Sequence, residues 1–213
     1  MGGAAGEGTV GGGAGGGAGD GARGFCVVVL AGGTGARLGG ADKGAVEVGG
    51  RTLLEHALAA CADADEVVVV GPTVPTTRPV TFTVEEPARG GPVAGLLAGR
   101  DALARRPRLL GVLAVDMPRV GAHTFARLRA AATGRDGAFL HEPGPTPGEP
   151  GRRQLAGVVD LVRLDAVAPP REERHGAALH RLLAPLDLAA VTAERDEAVD
   201  VDTWADLRGL RAD

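Results

Sequence analysis

The chain has 213 residues, a length that suits one domain with a buried core. Its formal net charge is -4, and aromatic residues make up 2% of the chain, with no tyrosine and one tryptophan. Nucleic acid is therefore not expected as a main partner, because neither a basic surface nor a base-stacking platform is indicated. No apolar run approaches membrane-spanning length and the N-terminus lacks a signal-type segment, so the cytoplasm is expected and membrane association is not.

The first 24 residues are almost entirely glycine and alanine. Such a segment has too little apolar surface to offset the entropy of ordering, so residues 1–24 are predicted to be a disordered leader. Residues 25–213 form the predicted domain. Its two cysteines, Cys26 and Cys61, have no metal-type spacing and are expected to be reduced core residues.

A strand followed by a glycine-rich loop opens the domain. Residues 27–30 are an apolar, largely β-branched run, which is typical of a strand covered on both faces. Three glycines lie within residues 32–35, and glycine leaves main-chain N–H groups open to a bound anion. Arg37 and Lys43 add two cations at the far end of the loop. This combination suits a polyphosphate better than a neutral ligand.

Three kinds of nucleotide-binding loop can be compared with this segment. A P-loop requires Gly-Lys-Ser/Thr, whereas Lys43 here follows Asp42 and precedes Gly44. A dinucleotide-binding fold requires an acid at the tip of the next strand, and the strand predicted at 67–70 continues into Gly-Pro-Thr at 71–73. The order Leu-Ala-Gly-Gly, then Arg, Gly and Asp-Lys, favours the third kind, a nucleotide-triphosphate transferase.

The remaining elements alternate along the chain. Strands are predicted at 66–70, 79–84, 109–115, 138–141, 154–160 and 188–191, and helices after Thr52, from Pro92, over 121–132, around 179–183, and after Asp202 or Thr203. Alternating strands and helices predict an α/β fold, a doubly wound and mainly parallel sheet in a single domain. Residues 142–151, rich in proline and glycine, predict an exposed loop.

Two segments place acids where a ligand is expected. The strand predicted at 109–115 runs straight into Asp116, and open α/β sheets bind ligands at the carboxyl ends of parallel strands. Asp116 is therefore the best metal-ligand candidate in the chain. Residues 85–92 combine two acids with glycines and lead into the helix that starts near Pro92, whose positive end faces whatever the loop encloses.

The order of these motifs resembles the molybdenum cofactor guanylyltransferase family, within the nucleotidyltransferase superfamily of Rossmann-like fold. The matching segments are Leu30 to Lys43, Glu86 to Gly95, Val115 to Pro118 and Val201 to Leu207. The first is highly specific for the superfamily, and the others, in the same order, narrow it to the cofactor branch.

The resemblance implies a nucleotide site and a reaction. The implied site residues are Leu30, Ala31, Gly32 and Gly33 under a purine nucleotide, Arg37 and Lys43 at its phosphates, Glu86 at its base or ribose, and Asp116 as ligand of a magnesium ion. Lys43, Arg37 and Asp116 are the implied catalytic residues. The implied reaction joins GTP and molybdopterin-bound molybdenum into the guanine dinucleotide cofactor and releases pyrophosphate, which needs charge neutralisation and in-line positioning.

The resemblance also implies where the second substrate enters. The pterin is expected from the half that contains 142–151, Arg153 and 200–203, and acceptor or donor proteins of the molybdenum cofactor pathway are possible partners. Asp202 is an alternative second metal ligand.

The chain departs from the family pattern at positions that concern base and pterin recognition. Glu86 stands where aspartate is usual, Val70 and Gly71 where guanine-specific members have an asparagine, and Asp200 and Asp202 where some members have asparagines. The alternatives are therefore a transferase that uses CTP or acts on a sugar phosphate, and a nucleotide-binding protein without turnover.

Overall fold

A computed structural model describes residues 1–2, 24–32, 43–86, 88–144, 146, 149, 151–201 and 203–210. The predicted leader lies outside the described residues except for Met1, Gly2 and Gly24. The loop segment 33–42 and Asp202 also lie outside them.

Within the described residues, the chain forms nine strands and six α-helices. The strands are β1 (Phe25–Leu30), β2 (Glu47–Val48), β3 (Arg51–Thr52), β4 (Glu66–Val70), β5 (Thr81–Thr83), β6 (Leu109–Ala114), β7 (Gly137–Glu142), β8 (Arg152–Asp160) and β9 (Leu188–Thr192). The helices are α1 (Leu53–Ala60), α2 (Gly91–Asp101), α3 (Ala122–Ala131), α4 (Leu161–Val167), α5 (Leu179–Leu183) and α6 (Trp204–Leu210).

Seven strands form one sheet in the order β5-β4-β1-β6-β8-β7-β9. β1 pairs in parallel with β4 and β6, and β4 pairs in parallel with β5. β8 runs antiparallel to both of its neighbours, β6 and β7, and β7 pairs in parallel with β9. We call β5, β4, β1 and β6 the parallel half and β8, β7 and β9 the mixed half. The predicted α/β fold with a mainly parallel sheet is confirmed.

Helices cover both faces of this sheet, which explains the continuous apolar runs of the central strands. Side chains of α1, α3 and α6 belong to the core on one face, and side chains of α2, α4 and α5 to the core on the other. Val27 and Val28, neighbours on β1, belong to different cores, and both are fully buried. Successive side chains of β1 therefore point to opposite faces of the sheet and contribute to both cores.

Most helix starts follow the expected capping chemistry. The Thr52 hydroxyl accepts a hydrogen bond from the Glu55 N–H at 3.1 Å, as predicted for α1. Pro92 lies in the first turn of α2, also as predicted. The helix α4 was not predicted from the sequence. It begins directly after β8, capped by Asp160, and its seven residues are too few for a clear helical period.

Both cysteines are free and fully buried. Burial raises the pKa of the Cys26 thiol to about 11 and that of the Cys61 thiol to about 12. Both groups are therefore protonated at neutral pH, in line with their predicted role as core residues. In the part of the chain that the structure describes, no helix has the length and apolar character needed to cross a bilayer.

Candidate active site

The candidate site lies at the edge of the sheet where β1, β4 and β6 end. The chain stays hydrogen bonded beyond these ends, because the Ala31 N–H donates to the Val70 carbonyl at 2.9 Å and the Val115 N–H donates to the Leu30 carbonyl at 3.0 Å. The Ala31 side chain is buried in one core, and Leu30 packs partly buried against the other. At Leu30 and Ala31, the first two residues predicted to contact the nucleotide, the main chain rather than the side chains therefore faces the candidate site.

Lys43 and Asp116 meet at this edge. The Lys43 ammonium nitrogen, Nζ, donates to Asp116 Oδ2 at 2.9 Å, and the two side chains are 16% and 21% exposed. The pair is therefore shielded from bulk water without being sealed from it. The sequence motifs predict that these two residues, far apart in the chain, contact one ligand, and the structure brings their side chains into contact.

The position of Lys43 depends on a short hairpin. Lys43 begins a single 3-10 turn, Lys43–Ala45, and its carbonyl accepts from the Val46 N–H at 3.2 Å. The Val46 carbonyl in turn accepts from the Leu53 N–H at 2.8 Å, which ties this turn to the start of α1. Lys43 is also the only lysine among the 213 residues. Lys43 thus provides the one side-chain ammonium group, and arginines provide the guanidinium groups at the other Lys or Arg positions.

Asp116 stands one residue beyond the Val115 that continues β6. The Met117 N–H donates to the Ala114 carbonyl at 3.3 Å, which forms a turn around Asp116. The carbonyl of Asp116 accepts from the Val201 N–H at 2.8 Å, and Val201 is fully buried. The segment before α6 is therefore anchored directly to the residue that carries the candidate metal ligand.

Gly32 lies against the acid Glu85. A Cβ atom at Gly32 would lie 3.7 Å from Glu85 Oε2 and 3.7 Å from the Val70 carbonyl oxygen. Glu85 Oε1 also accepts from the Arg89 N–H at 3.0 Å, and Arg89 has a φ of 65°. The Glu85 carboxylate thus faces Gly32, at the start of the glycine-rich loop, and accepts a hydrogen bond in the turn that leads into α2.

Glu86, the acid that the sequence analysis singled out, points elsewhere. Its side chain is 78% exposed and lies 3.6 Å from the guanidinium of Arg171. Both residues line a cavity of about 250 Å³ beside α2, together with Glu85, Arg174 and His175. The role of Glu86 stays a prediction, and Glu85, which no local signal in the sequence distinguishes from it, is the acid that lies beside Gly32.

The remaining predicted site residues fall outside the described chain or in other surroundings. Gly33 and Arg37 lie outside the described residues, so their roles stay predictions. In the half expected to meet the pterin, the Arg153 guanidinium lies 5.7 Å from the centre of the Phe139 ring. Asp200 instead pairs with the neighbouring arginine, Arg152, at 2.7 Å.

The oxygen donors available for a metal are few. Among the described residues, no group of three or more His, Cys, Asp or Glu side chains is arranged to hold a metal ion. Asp116 presents a carboxylate beside the single lysine, and carboxylate oxygen is the donor that hard divalent cations prefer. The described residues therefore fit a metal shared with ligand oxygens better than a metal enclosed by protein.

Comparison with known proteins identifies the family. Residues 27–198 match the MobA-like NTP transferase domain. The chain belongs to this family. Membership in the MobA-like NTP transferases agrees with the glycine-rich loop, the sheet and the edge on which Lys43 and Asp116 meet, and it confirms the superfamily that the sequence motifs indicated.

One curated relative supports the family, and two solved structures share the fold. A molybdenum cofactor guanylyltransferase of Acidiphilium cryptum (strain JF-5) is 33% identical over 192 residues, which cover 87% of this chain and 93% of that relative. The 2-C-methyl-D-erythritol 4-phosphate cytidylyltransferase of Thermus thermophilus superposes with a TM-score of 0.71 at 24% identity, over 89% of this chain and 98% of that chain. Mycobacterium tuberculosis Rv0371c in complex with manganese superposes with a TM-score of 0.66 at 17% identity, over 90% of this chain and 100% of that chain. The two structures share the fold with this MobA-like protein.

Proposed function

We propose that the protein transfers GMP from GTP to molybdopterin-bound molybdenum and releases pyrophosphate. The observation that carries the proposal is the contact between Lys43 and Asp116 at the carboxyl edge of the sheet, 2.9 Å between Nζ and Oδ2. The choice of guanine and of the pterin acceptor is supported by the relative that is 33% identical over most of the chain, a molybdenum cofactor guanylyltransferase.

The chemistry requires neutralisation of charge more than covalent help. An oxygen of the acceptor's phosphate monoester forms a bond to the α-phosphorus of GTP, and the bond from that phosphorus to the bridging oxygen breaks. The bridging oxygen leaves with the pyrophosphate, so no proton has to be added or removed. Both reactants are anions, and a fixed cation at the α-phosphate lowers the cost of bringing them together.

Lys43 suits this task for a physical reason. Its ammonium is a compact point charge with three donors, which can follow the α-phosphate oxygens as the geometry at phosphorus changes. The hairpin anchored to α1 holds its main chain in place, and Asp116 holds its head group. In the proposed site, the main-chain amides of Gly32 and Gly33 and the guanidinium of Arg37 take the outer phosphates.

Magnesium is the proposed metal, and Asp116 would hold it. A magnesium ion keeps most of its coordination for water and phosphate oxygens and takes only one or two protein carboxylates, so a single firm aspartate suffices. When bound, the ion supplies further positive charge to the phosphates. Asp202 is the proposed second carboxylate. The manganese complex of a structural neighbour supports the idea that this fold accepts a divalent cation.

The proposal is tested by measuring pyrophosphate release. Purified protein is incubated with magnesium, each of the four nucleoside triphosphates in turn, and molybdopterin-bound molybdenum. GTP is expected to give the fastest release. Faster pyrophosphate release with CTP than with GTP would indicate a cytidylyltransferase instead. No pyrophosphate release with any of the four nucleotides would contradict nucleotidyl transfer.

The single lysine provides a second test that does not depend on turnover. An amine-specific reagent can modify only the N-terminal amine and Lys43, because the sequence contains no other lysine. GTP with magnesium is expected to protect Lys43 and to leave the N-terminal amine reactive, so each sample carries its own control. Mass spectrometry of the digested protein reads out both sites. Equal labelling of Lys43 with and without nucleotide would contradict its assignment to the phosphates.

A further inference from the structure

The reversed direction of β8 brings its first residues to the edge that carries Asp116. β6 and β8 are antiparallel, and their register pairs Leu113 with Ala156. This pairing shows that β8 begins near the end of β6, and between Arg153 and Gly157 the register of β8 against β7 shifts. The parallel strands end at this edge, whereas β8 begins there. The side chains of Arg152 and Gln154, at the start of β8, therefore lie at this edge.

Asp200 and Gln154 help to hold Arg152 in place at this edge. Its Nη2 donates to Asp200 Oδ2 at 2.7 Å and to Gln154 Oε1 at 3.2 Å. Gln154 is 4% exposed, and its Nε2 donates to Glu142 Oε2 at 2.8 Å. A buried amide thus fixes the direction of an arginine whose own side chain is 64% exposed. The ordered guanidinium faces solvent on the same side of the sheet as its anchors.

This arrangement is connected to the candidate active site through the main chain. Asp200, the carboxylate partner of Arg152, immediately precedes Val201. The Val201 N–H donates to the carbonyl of Asp116 at 2.8 Å. Arg152 is therefore one ion pair and one main-chain hydrogen bond away from the residue proposed to hold the metal.

The adjacent arginine provides a contrast. Successive side chains of a strand point to opposite faces of the sheet. Gln154 and Ala156 lie on the same face as Arg152, and Ala156 belongs to the core that also contains Val201. The Arg153 guanidinium instead lies over Phe139, which belongs to the core of the other face. Two neighbouring arginines with similar intrinsic chemistry are thus directed to different surroundings.

We propose that Arg152 binds the phosphate monoester of the acceptor substrate, with Gln154 as the positioning residue that aims its guanidinium. The proposal rests on the proposed function, since it assigns the second substrate of the same site. A guanidinium offers a planar fork of donors that matches phosphate oxygens, and much of the entropy of ordering this side chain is already lost through its anchors. The phosphate replaces the Asp200 carboxylate as the anion paired with Arg152, while the hydrogen bond to Gln154 keeps the guanidinium directed.

The test compares three substitutions in the full-length protein. Arg152→Gln is expected to raise the KM for molybdopterin-bound molybdenum at least about tenfold while the KM for GTP stays within about twofold. Arg152→Lys keeps the charge without the fork and is expected to recover part of that loss. Arg153→Gln is expected to change the acceptor KM less than Arg152→Gln does. The thermal midpoint of each variant verifies that it folds.

Arg135→Gln is the matched control for loss of an exposed ion pair. Arg135 pairs with Asp187 at 2.7 Å, the same length as the pair of Arg152 with Asp200, and it lies in the turn before β7. This variant is expected to keep both KM values. An acceptor KM that changes equally in Arg152→Gln and Arg135→Gln, or more in Arg153→Gln than in Arg152→Gln, would overturn the proposal.

Direct binding separates this proposal from the proposed function. Calorimetric titration of the protein with molybdopterin-bound molybdenum, without GTP, measures acceptor affinity whether or not turnover occurs. Weaker binding in Arg152→Gln supports the assignment even if no pyrophosphate is released from any nucleotide, in which case the transferase proposal fails alone. Asp200→Asn, which removes the competing carboxylate, is expected to bind the acceptor at least as tightly as the native chain. No measurable acceptor binding by the native protein, or unchanged binding in Arg152→Gln, overturns the assignment of Arg152.

Discussion

The two halves of the sheet bring different kinds of groups to the same edge. The parallel half presents small residues and main chain, such as Ala31 and Gly32, and adds Lys43 and Asp116 from the segments that follow the strands. The mixed half presents side chains that lie on a strand, because β8 begins where its neighbours end. A parallel strand leaves space for a ligand at its tip, whereas a reversed strand fills that space with side chains fixed by pairing. One sheet can therefore provide both space for a ligand at the ends of its parallel strands and ordered side chains beside that space.

The largest expected effect comes from removing the cation of the parallel half. Lys43→Ala should lower turnover by about 100-fold or more, because loss of one preorganised group at developing charge typically costs that much. Lys43→Arg keeps the charge but not the compact head group, and should lose about tenfold. Pyrophosphate release measures both variants, and circular dichroism verifies their fold. Near-normal turnover in Lys43→Ala would exclude its role.

A pair of glycine substitutions compares the packing of the two halves. A Cβ at Gly99 of α2 would clash with both Cγ atoms of Val28, and a Cβ at Gly157 of β8 would clash to a similar degree with the Phe139 ring. Overpacking costs about 1–3 kcal/mol, and alanine in a helix recovers about 1 kcal/mol relative to glycine. Gly157→Ala should therefore lower the free energy of unfolding by about 1 kcal/mol more than Gly99→Ala does. Denaturant titration measures both losses, and a larger loss in Gly99→Ala would contradict this account.

Glu197, which follows β9 of the mixed half, should make the stability of the folded protein sensitive to acid. Burial alone would raise the pKa of this carboxyl, but hydrogen bonds from the Glu194 N–H, the Thr124 hydroxyl and the Arg127 guanidinium outweigh it, and its pKa lies below the usual value. A lowered folded-state pKa means that the stabilisation is present above the unfolded pKa of about 4.3 and is lost as pH falls through the folded value. Thermal midpoints between pH 3 and pH 7 should fall less steeply with acid in Glu197→Gln.

The same variant should lose about 1–2 kcal/mol of stability at neutral pH, since hydrogen bonds to a charged acceptor are weakened. Glu194→Gln is the control, because the Glu194 side chain is 60% exposed and pairs with Arg127 at 3.2 Å. Its pH profile should follow that of the native chain. Identical profiles for Glu197→Gln and the native chain would remove the carboxylate from this role.

The smallest expected effect concerns backbone strain in each half. Arg89, before α2, and Arg195, between β9 and α6, adopt φ values of 65° and 49°. The left-handed region costs a residue with a side chain about 1–2 kcal/mol, while glycine loses more entropy on folding. Arg89→Gly and Arg195→Gly should therefore each gain about 0.5–1 kcal/mol in denaturant titrations. A loss of stability in both variants would show that the arginine side chains contribute more than the strain costs.

Much of the parallel half could be predicted from the sequence. The predicted strand at 66–70 has the bounds of β4, since a run of valines after one glutamate leaves little choice. Thr52 and Pro92 mark helix starts because their local chemistry satisfies or spares the first N–H groups. The meeting of Lys43 and Asp116 follows from a topological rule, that neighbouring parallel strands end at one edge.

The mixed half could not be predicted to the same depth. Residue alternation indicates that 154–160 is a strand, but the direction of a strand is decided by what it pairs with, and no local pattern carries that information. Arg152 was therefore not singled out, although its alternation with Gln154 and Ala156 is visible in the sequence. The sequence also does not distinguish Glu85 from Glu86, because loop residues have no regular spacing that assigns them to a face; the structure places Glu85 beside Gly32.

The hydrogen bond between Val201 and Asp116 also affects how the protein is made. A ribosome completes the first four strands of the sheet long before it reaches Val201, so a growing chain can pair β1 with β6 while the carbonyl of Asp116 still lacks this partner. The donor becomes available only after Val201 has been synthesised. A chain that stops before Val201 would thus carry the glycine-rich loop and Lys43 while the carbonyl of Asp116 lacks this hydrogen bond.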